Sequence, residues 1–365
     1  MQRSEKYMRL ALDEARKAED RTYPNPMVGA VIVRSGRVIG RGYHKKAGSD
    51  HAEIAAIKNS KNNVRGSEIY VTLEPCDHYG RTPPCTDKII ESGIRKVHIA
   101  MTDPNPLTKG RGIRKLRKAG LLVTTGLLAD EARSLNRKYI KCMTTGLPYV
   151  TVKLAQSLDG KIAARDGSSK WITSARTRGY VKKMRMNFNA VVVGANTACQ
   201  DDPFLLGPGK RGYATARVVV DSTLRIPFSA NLIKTSHKAP VIIVTTERAL
   251  PRKVERFRKI SGVDVIVTKS RGGRVPLKYF LKELGRRGIV NVLIEGGGSL
   301  AGALLAEKLI DEWMFFIAPK ILGGSCDSVK WKGAESIKKA VELKDIRVES
   351  FGEDILIRGR ACSPE

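Results

Sequence analysis

The chain has 365 residues, of which 42% are hydrophobic and 28% charged, and 66 Lys and Arg against 36 Asp and Glu give a formal net charge of +30. This length exceeds the size at which a single core stops growing, so two domains are expected, and no apolar run reaches the ~20 residues that cross a bilayer, which excludes a spanning helix. Six cysteines (Cys76, Cys85, Cys142, Cys199, Cys326, Cys362), with no apolar leader between Met1 and Asp20, fit a reducing, cytoplasmic setting better than a disulfide framework.

In the opening segment Met8, Ala11, Leu12 and Ala15 fall on one helical face, and Pro24-Asn25-Pro26 ends that helix. Val28 to Val33 and Val38 to Gly42 read as two strands joined at Ser35-Gly36. His51 to Ile57 is a short helix entered from Ser49-Asp50, and Glu68 to Leu73 is a strand running into the loop that holds Cys76. Thr86 to Ser92 is a helix closed by Gly93, and Lys96 to Met101 returns as strand. Ala129 to Cys142 reads as one closing helix, which Gly146-Leu147-Pro148 breaks before a strand at Tyr149 to Ala155, so the expected domains are 1–145 and 146–365. Beyond that point, apolar runs at Ala190 to Val193, Val218 to Val220, Val241 to Val244, Val263 to Val267 and Val290 to Ile294 alternate with helical patterns. Such alternation predicts layered α/β domains with covered sheets.

His51-Ala52-Glu53, Pro75-Cys76 and Cys85 carry the chemistry of the first half. One imidazole and two thiolates fill three of the four positions that zinc prefers and leave one for water, whose acidity the metal raises. Glu53 lies two residues from His51 at a helix start, where a carboxylate can face the metal without ligating it. There it can take a proton from water and pass it to a ring nitrogen and to departing ammonia. This matches the general zinc-deaminase pattern, whose two cysteines are usually separated by two residues; here Asp77 to Pro84 intervene. The competing reading is a set of unrelated buried residues. His78 in the same loop is either a rival ligand or an ordinary hydrogen-bonding histidine.

With these motifs and the run Pro75-Cys76-Asp77-His78-Tyr79-Gly80-Arg81-Thr82-Pro83-Pro84-Cys85, the chain resembles the bifunctional riboflavin-biosynthesis deaminase-reductases. The long intercysteine loop separates it from tRNA adenosine deaminases, which have the close cysteine pair. The second half carries the same resemblance in Lys153 to Ala163, Ser169-Lys170-Trp171-Ile172-Thr173, Asp201-Asp202-Pro203 and Ala318-Pro319-Lys320. The resemblance implies a cytidine-deaminase-like three-layer domain followed by a dihydrofolate-reductase-like α/β domain. It implies zinc and NADPH as cofactors, a phosphorylated pyrimidine as substrate and a homo-oligomer. Deamination of a diaminopyrimidinone bearing a ribosylamino 5′-phosphate would be followed by reduction of the ribosyl group to ribityl.

Leu293-Ile294-Glu295-Gly296-Gly297-Gly298-Ser299 reads as a strand entering a glycine-rich turn and a helix from Leu300 to Leu309. Backbone N–H groups at such a turn can hold a diphosphate, whereas the plain alternative is a tight turn that needs positive φ. The Gly-x-Gly-x-x-Gly fingerprint is absent, so no Rossmann fold is expected. By resemblance, Ala155, Trp171, Thr197, Asp201, Ser222 and the turn of Gly297, Gly298, Ser299, Leu300, Ala301, Gly302 and Ala303 contact NADPH. Ser169, Arg185, Leu205 and Glu295 contact the reductase substrate, and Lys153 assists proton transfer. Core packing for Trp171, a turn cap for Asp201 and a surface base for Arg185 are the plain alternatives. In the deaminase half, Asn25 and His44 line the pyrimidine pocket and Arg81 meets the ribose phosphate. Where the family continues Asp-Asp-Pro-x-Leu with Thr-x-Arg, this chain has Leu206-Gly207-Pro208, so Lys210 or Arg211 would have to reach the phosphate instead.

The charge excess is spread, with 28 basic against 15 acidic residues up to Thr145 and 38 against 21 beyond it. Neither half is a basic arm, so no specific nucleic-acid partner and no membrane are expected. Two other readings remain in view: a deaminase acting on a polynucleotide, and a deaminase whose second domain serves only for binding or dimerisation.

Overall fold

Ala30 and Ile32 pack into one apolar cluster and Val31 and Val33 into another on the opposite face of their strand. A strand covered on both faces loses the polar alternation of a surface strand, which is why this segment is apolar throughout. The computed structural model describes residues 2–19, 21–79, 83–208 and 215–361. It divides into two compact units, Met1–Gly146 and Leu147–Glu365.

The first unit runs α1 (Gln2–Arg16), β1 (Gly29–Arg34), β2 (Arg37–Tyr43), α2 (Ala52–Lys58), β3 (Glu68–Leu73), α3 (Cys85–Glu91), β4 (Lys96–Met101), α4 (Arg111–Lys118), β5 (Leu122–Thr125), α5 (Ala129–Leu135) and α6 (Arg137–Thr145). Its sheet has the order β2-β1-β3-β4-β5, antiparallel across β2-β1-β3 and parallel across β3-β4-β5. Ala52 and Ala56 of α2, Ile89 of α3 and Ile113 and Leu116 of α4 pack in the cluster on one face, while Met8, Ala11 and Leu12 of α1 pack in that on the other.

The expected single helix from Ala129 to Cys142 is two helices, broken at Asn136. The buried Asn136 side chain accepts from the N–H of Met27 at 2.8 Å and donates to its carbonyl at 2.9 Å. Asn136 leaves helical geometry at φ −103° and ψ 18°. A tertiary hydrogen-bond pair has overridden a helical pattern that is continuous in sequence.

The second unit runs β6 (Tyr149–Ser157), α7 (Ala175–Met184), β7 (Ala190–Gly194), α8 (Ala195–Gln200), β8 (Ala216–Val220), α9 (Asn231–Lys234), β9 (Val241–Thr246), α10 (Pro251–Arg258), β10 (Val263–Thr268), α11 (Leu277–Arg286), β11 (Asn291–Glu295), α12 (Gly298–Ala306), β12 (Glu312–Ala318), β13 (Leu343–Phe351) and β14 (Asp354–Ala361). Its nine strands are ordered β10-β9-β8-β7-β11-β6-β12-β14-β13, parallel from β10 through β12 and antiparallel at β14 and β13. Alternate residues of the inner strands enter two clusters, Val191, Val219, Ile243 and Leu293 on one face and Val192, Val218, Ile242 and Ile294 on the other. The expected helix from Leu300 starts two residues earlier, at Gly298, and ends at Ala306. No helix among the described residues is long and apolar enough to cross a membrane.

Candidate functional site

His51 stands immediately before α2 with extended backbone, φ −71° and ψ 162°, and its side chain makes no capping bond. The ring is therefore free to turn toward the sulfurs, and Nδ1 lies 3.2 Å from Cys85 Sγ and 3.5 Å from Cys76 Sγ. The donor atoms of His51, Cys76 and Cys85 all lie within 4.8 Å of one another. A tetrahedral ion with bonds of ~2.0 Å to nitrogen and ~2.3 Å to sulfur has N···S edges of about 3.5 Å, so the trio fits zinc. His78 is exposed and is not part of this trio.

The first turn of α3 also serves the sulfurs, because the Cys85 N–H donates to Cys76 Sγ at 3.3 Å. Hydrogen bonding from Cys85, and then from His51, pulls the Cys76 thiol down to about 4. The same exchange pushes Cys85 up, and the bond to Cys76 holds the His51 imidazolium up to about 9. Two sulfurs and one ring nitrogen converging within 4.8 Å of one another are the donor set that zinc takes. Glu53 is buried in the first turn of α2, and burial raises its carboxyl to about 7. Its Oε2 is enclosed and has no hydrogen-bond partner. An orphaned carboxylate oxygen is costly unless something absent from the bare chain satisfies it.

His51, Glu53 and Cys76 line a cavity of about 500 Å³ together with Asn25, His44 and Asn105. His44 Nδ1 lies 3.1 Å from the Asp50 carbonyl, which can only accept, so Nδ1 carries the proton. Nε2 must then accept from Asn25 Nδ2 at 3.0 Å. Burial keeps His44 below its ordinary value and hence neutral. Asn25 is thereby oriented, with its carbonyl oxygen left for another partner. Arg81 lies outside the described residues.

In the second unit Glu295 closes β11 and pairs in register with Lys153 of β6. Arg185 donates to both Glu295 oxygens, at 2.6 and 3.0 Å. Burial works against the Glu295 carboxylate, but Arg185 and then Lys153 outweigh it and its pKa falls. Lys153 Nζ stands 5.8 Å from the Phe316 ring centroid, and burial depresses its pKa although Glu295 opposes the shift. The surface-base alternative for Arg185 is therefore set aside. The Ser169–Trp171 segment meets the Asp201 segment where Lys170 Nζ donates to the Asp201 carbonyl at 3.2 Å. Trp171 is 63% exposed, with the Arg178 guanidinium 4.2 Å from its ring centroid, so it is not core. Leu205 is buried, with φ of +51°.

The glycine turn is more constrained than its sequence suggests. Gly296 and Gly297 have φ of +84° and +33°, and a Cβ at Gly296 would sit 2.6 Å from Thr197 Oγ1. A Cβ on Gly298 or Gly302 would lie 2.3 Å from the Asp327 carbonyl or 1.9 Å from that of Lys330. These two glycines therefore receive backbone of this chain on that side. Ser299 is exposed, Ala301 is buried, and Leu300 and Ala303 pack against the apolar cluster. The Ser222 hydroxyl accepts from the Val275 N–H at 3.1 Å. Ala155 pairs with Phe316 of β12. Lys210 and Arg211 lie outside the described residues.

Comparison with known proteins follows this division. Residues 1–101 match the cytidine and deoxycytidylate deaminase zinc-binding region, and residues 148–357 match the RibD C-terminal domain. Over 354 residues the chain is 42% identical to the riboflavin biosynthesis protein RibD of Aquifex aeolicus, covering 96% of each chain. The chain belongs to the RibD family. A RibD structure from Acinetobacter baumannii is 34% identical with a TM-score of 0.86, covering 99% of both chains. A diaminohydroxyphosphoribosylaminopyrimidine deaminase/5-amino-6-(5-phosphoribosylamino)uracil reductase from Thermotoga maritima is 35% identical with a TM-score of 0.84 over the same share. The fold class expected from the sequence is therefore that of the family, as is zinc in the first unit.

Within this RibD frame, the cavity residues missed from sequence include Glu74, Asp103, Asn105 and Tyr139. Tyr139 donates to Asp103 Oδ1 at 3.3 Å. A signal existed, because Pro104-Asn105-Pro106 repeats Pro24-Asn25-Pro26, and both proline-bracketed asparagines line one cavity. Proline fixes its own φ and disfavours helix in the residue before it, so each asparagine sits on a preset backbone.

Proposed function

We propose that the chain catalyses two successive reactions of riboflavin biosynthesis: hydrolytic deamination of 2,5-diamino-6-(5-phosphoribosylamino)pyrimidin-4(3H)-one in the first unit, and NADPH-dependent reduction of 5-amino-6-(5-phosphoribosylamino)uracil in the second. The observation that carries the reading is Glu53, which has an enclosed, partnerless oxygen and lines one cavity with His51 and Cys76, whose donor atoms converge with that of Cys85. The first reaction exchanges the 2-amino group for oxygen: water adds at C2 and ammonia leaves.

Zinc, held by His51, Cys76 and Cys85, supplies Lewis acidity that makes water a nucleophile near neutral pH. Glu53 accepts one proton from the attacking water and gives it to the ring nitrogen, then takes the second proton from the hydroxyl newly added at C2 and gives it to the amino group, which leaves as ammonia. Its raised pKa suits both directions of transfer. Asn25, held by neutral His44, and Asn105 offer amide groups to the ring edge. Arg81 is the proposed contact for the ribose phosphate.

NADPH supplies the hydride of the second reaction. Backbone N–H groups at the Gly297 turn, at the start of α12, suit a phosphate, and Thr197, Asp201, Trp171, Ala155 and Ser222 complete the proposed nucleotide contacts. Arg185, clamped by Glu295, keeps a cation beside the sugar with Ser169 and Leu205. Lys153, held at lowered pKa, moves a proton at the sugar oxygen as the ring opens. Strand β13 lies at the sheet edge with Ile346 50% and Val348 63% exposed, and a second copy of the chain is the occupant we assign to it.

The test is incubation of pure protein with the diaminopyrimidinone nucleotide, with and without NADPH. Ammonia release in both arms and NADPH oxidation in the second is the expected result. Ammonia without NADPH oxidation would leave a deaminase alone, and neither product would refute the reading.

A further inference from the structure

Arg217 of β8 is the largest side chain without solvent exposure among the described residues. Its guanidinium has no acidic partner among the described residues. Nη1 donates to Thr235 Oγ1 at 2.6 Å and to the Phe204 carbonyl at 3.2 Å, while Nη2 donates to the carbonyls of Thr235 at 2.8 Å and Ala239 at 2.5 Å. Nε is enclosed without a partner. Burial alone draws the pKa down to about 10. A buried cation without a counter-ion is an expensive way to fill interior space, where an apolar side chain would pack at no electrostatic cost.

Three of the four acceptors belong to the Thr235–Ala239 stretch, and the fourth reaches elsewhere. The Phe204 carbonyl belongs to the peptide plane that precedes Leu205, and the tilt of that plane sets the φ of Leu205. That φ is +51°, and Asp202 nearby is at +41°, a region L residues disfavour. Asn231 holds Asp202 from the same side, its N–H donating to Oδ1 at 2.7 Å and its Nδ2 to the carbonyl at 3.0 Å. The 201–205 stretch is thus gripped from within the core at two points.

We propose that Arg217 is a positioning residue of the reductase: by holding the Phe204 carbonyl from inside the core, it fixes the Asp201–Leu205 stretch in the shape that receives the phosphorylated substrate and the dinucleotide. The inference rests on the functional reading above. It assigns no contact with either ligand to Arg217 itself. The five donors of a planar guanidinium let one side chain bridge both segments, which a lysine ammonium cannot reproduce.

The test compares full-length Arg217→Met with Thr235→Val, which removes an acceptor from the same buried cluster but leaves the Phe204 bond. In Arg217→Met, amide hydrogen exchange across 201–208 should rise at least ~tenfold and the KM for the reductase nucleotide by roughly tenfold, with ammonia release unchanged. Thr235→Val should melt at a lower temperature yet keep the parent KM. A lowered melting temperature in Arg217→Met with parental KM and parental 201–208 exchange would overturn the proposal. Should the methionine variant not fold, Arg217→Lys is read by the same two measurements, and parental values there refute it equally. If the parent protein oxidises no NADPH, the functional reading fails, while the exchange data still decide whether Arg217 holds the loop.

Discussion

Asn25 donates to His44 at 3.0 Å in a direction that a third group settles, because the Asp50 carbonyl has already claimed the only ring proton of His44. On the proposed reading, the histidine would act through the asparagine. In His44→Phe the Asn25 amide is free to rotate, and the deaminase kcat/KM should fall by about tenfold to a hundredfold, or ~1.4–3 kcal/mol. Zinc content and NADPH oxidation should be unchanged. Assays of both activities on one preparation, with metal analysis, check this.

Glu53→Gln keeps the shape of the side chain but cannot accept a proton. Ammonia release should fall by ~10²–10⁴-fold with one zinc per chain retained. Removal of zinc by a chelator should abolish the same activity and also lower the melting temperature of the first unit, because the ion binds only the folded ligand set. Separate loss of activity in the variant and of both activity and stability in the stripped protein is the expected pattern.

Glu74 is buried at the end of β3 and accepts three backbone N–H groups, from Asp103 at 3.1 Å, Gly110 at 2.9 Å and Ile113 at 3.2 Å. Its carboxylate ties the strand leading to Cys76 to the loop that carries Asn105. An amide has one accepting oxygen, so Glu74→Gln leaves part of this set unsatisfied and should cost ~1–3 kcal/mol of stability in denaturant titration. The same variant should raise the deaminase KM, and an unchanged KM would separate the loop from substrate binding.

Lys153 and Glu295 both make the fold more stable as pH rises, in separate windows, because both pKa values are lowered on folding. The Glu295 pKa is lowered in the folded chain, so its contribution is present above the ~4.3 of a free glutamate and is lost as pH falls through the folded value. The Lys153 pKa is also lowered, so between the folded value and the ~10.4 of a free lysine the unfolded chain binds more protons. Lys153 therefore costs stability at neutral pH, and the cost disappears as pH rises through that window. Lys153→Met should melt higher than the parent at pH 7, with the gap narrowing toward pH ~10, and should lose NADPH oxidation. A melting series against pH tests the sign.

Two of the zinc ligands were legible in sequence because they sit beside a helix start, where local patterning fixes direction, His51 before α2 and Cys85 in the first turn of α3, and Cys76 was legible from its Pro-Cys pair in the loop after β3. The inner strands were legible because burial on both faces writes itself as apolar runs. The break at Asn136, the grip of Glu74 and the buried Arg217 were not legible. Each depends on a side chain meeting backbone far away in sequence, 109 residues away for Asn136 and Met27, and such meetings leave no periodic trace. The glycine run was read as an anion cradle, but Gly298 and Gly302 also admit neighbouring carbonyls, a demand that the same letters do not distinguish.

That last contact links two parts of the second unit mechanically. Gly298 and Gly302 lie one helical turn apart and form a smooth track in which the 327–330 backbone lies, with the Lys330 N–H donating to the Gly298 carbonyl at 3.0 Å. A methyl group at either position would wedge the track open and tilt α12 away, carrying the Gly296–Gly297 bend with it. The stretch after β12 thus works as a splint for the glycine turn, and on the proposed reading lengthening or shortening it would retune the reductase without altering any residue assigned to a ligand.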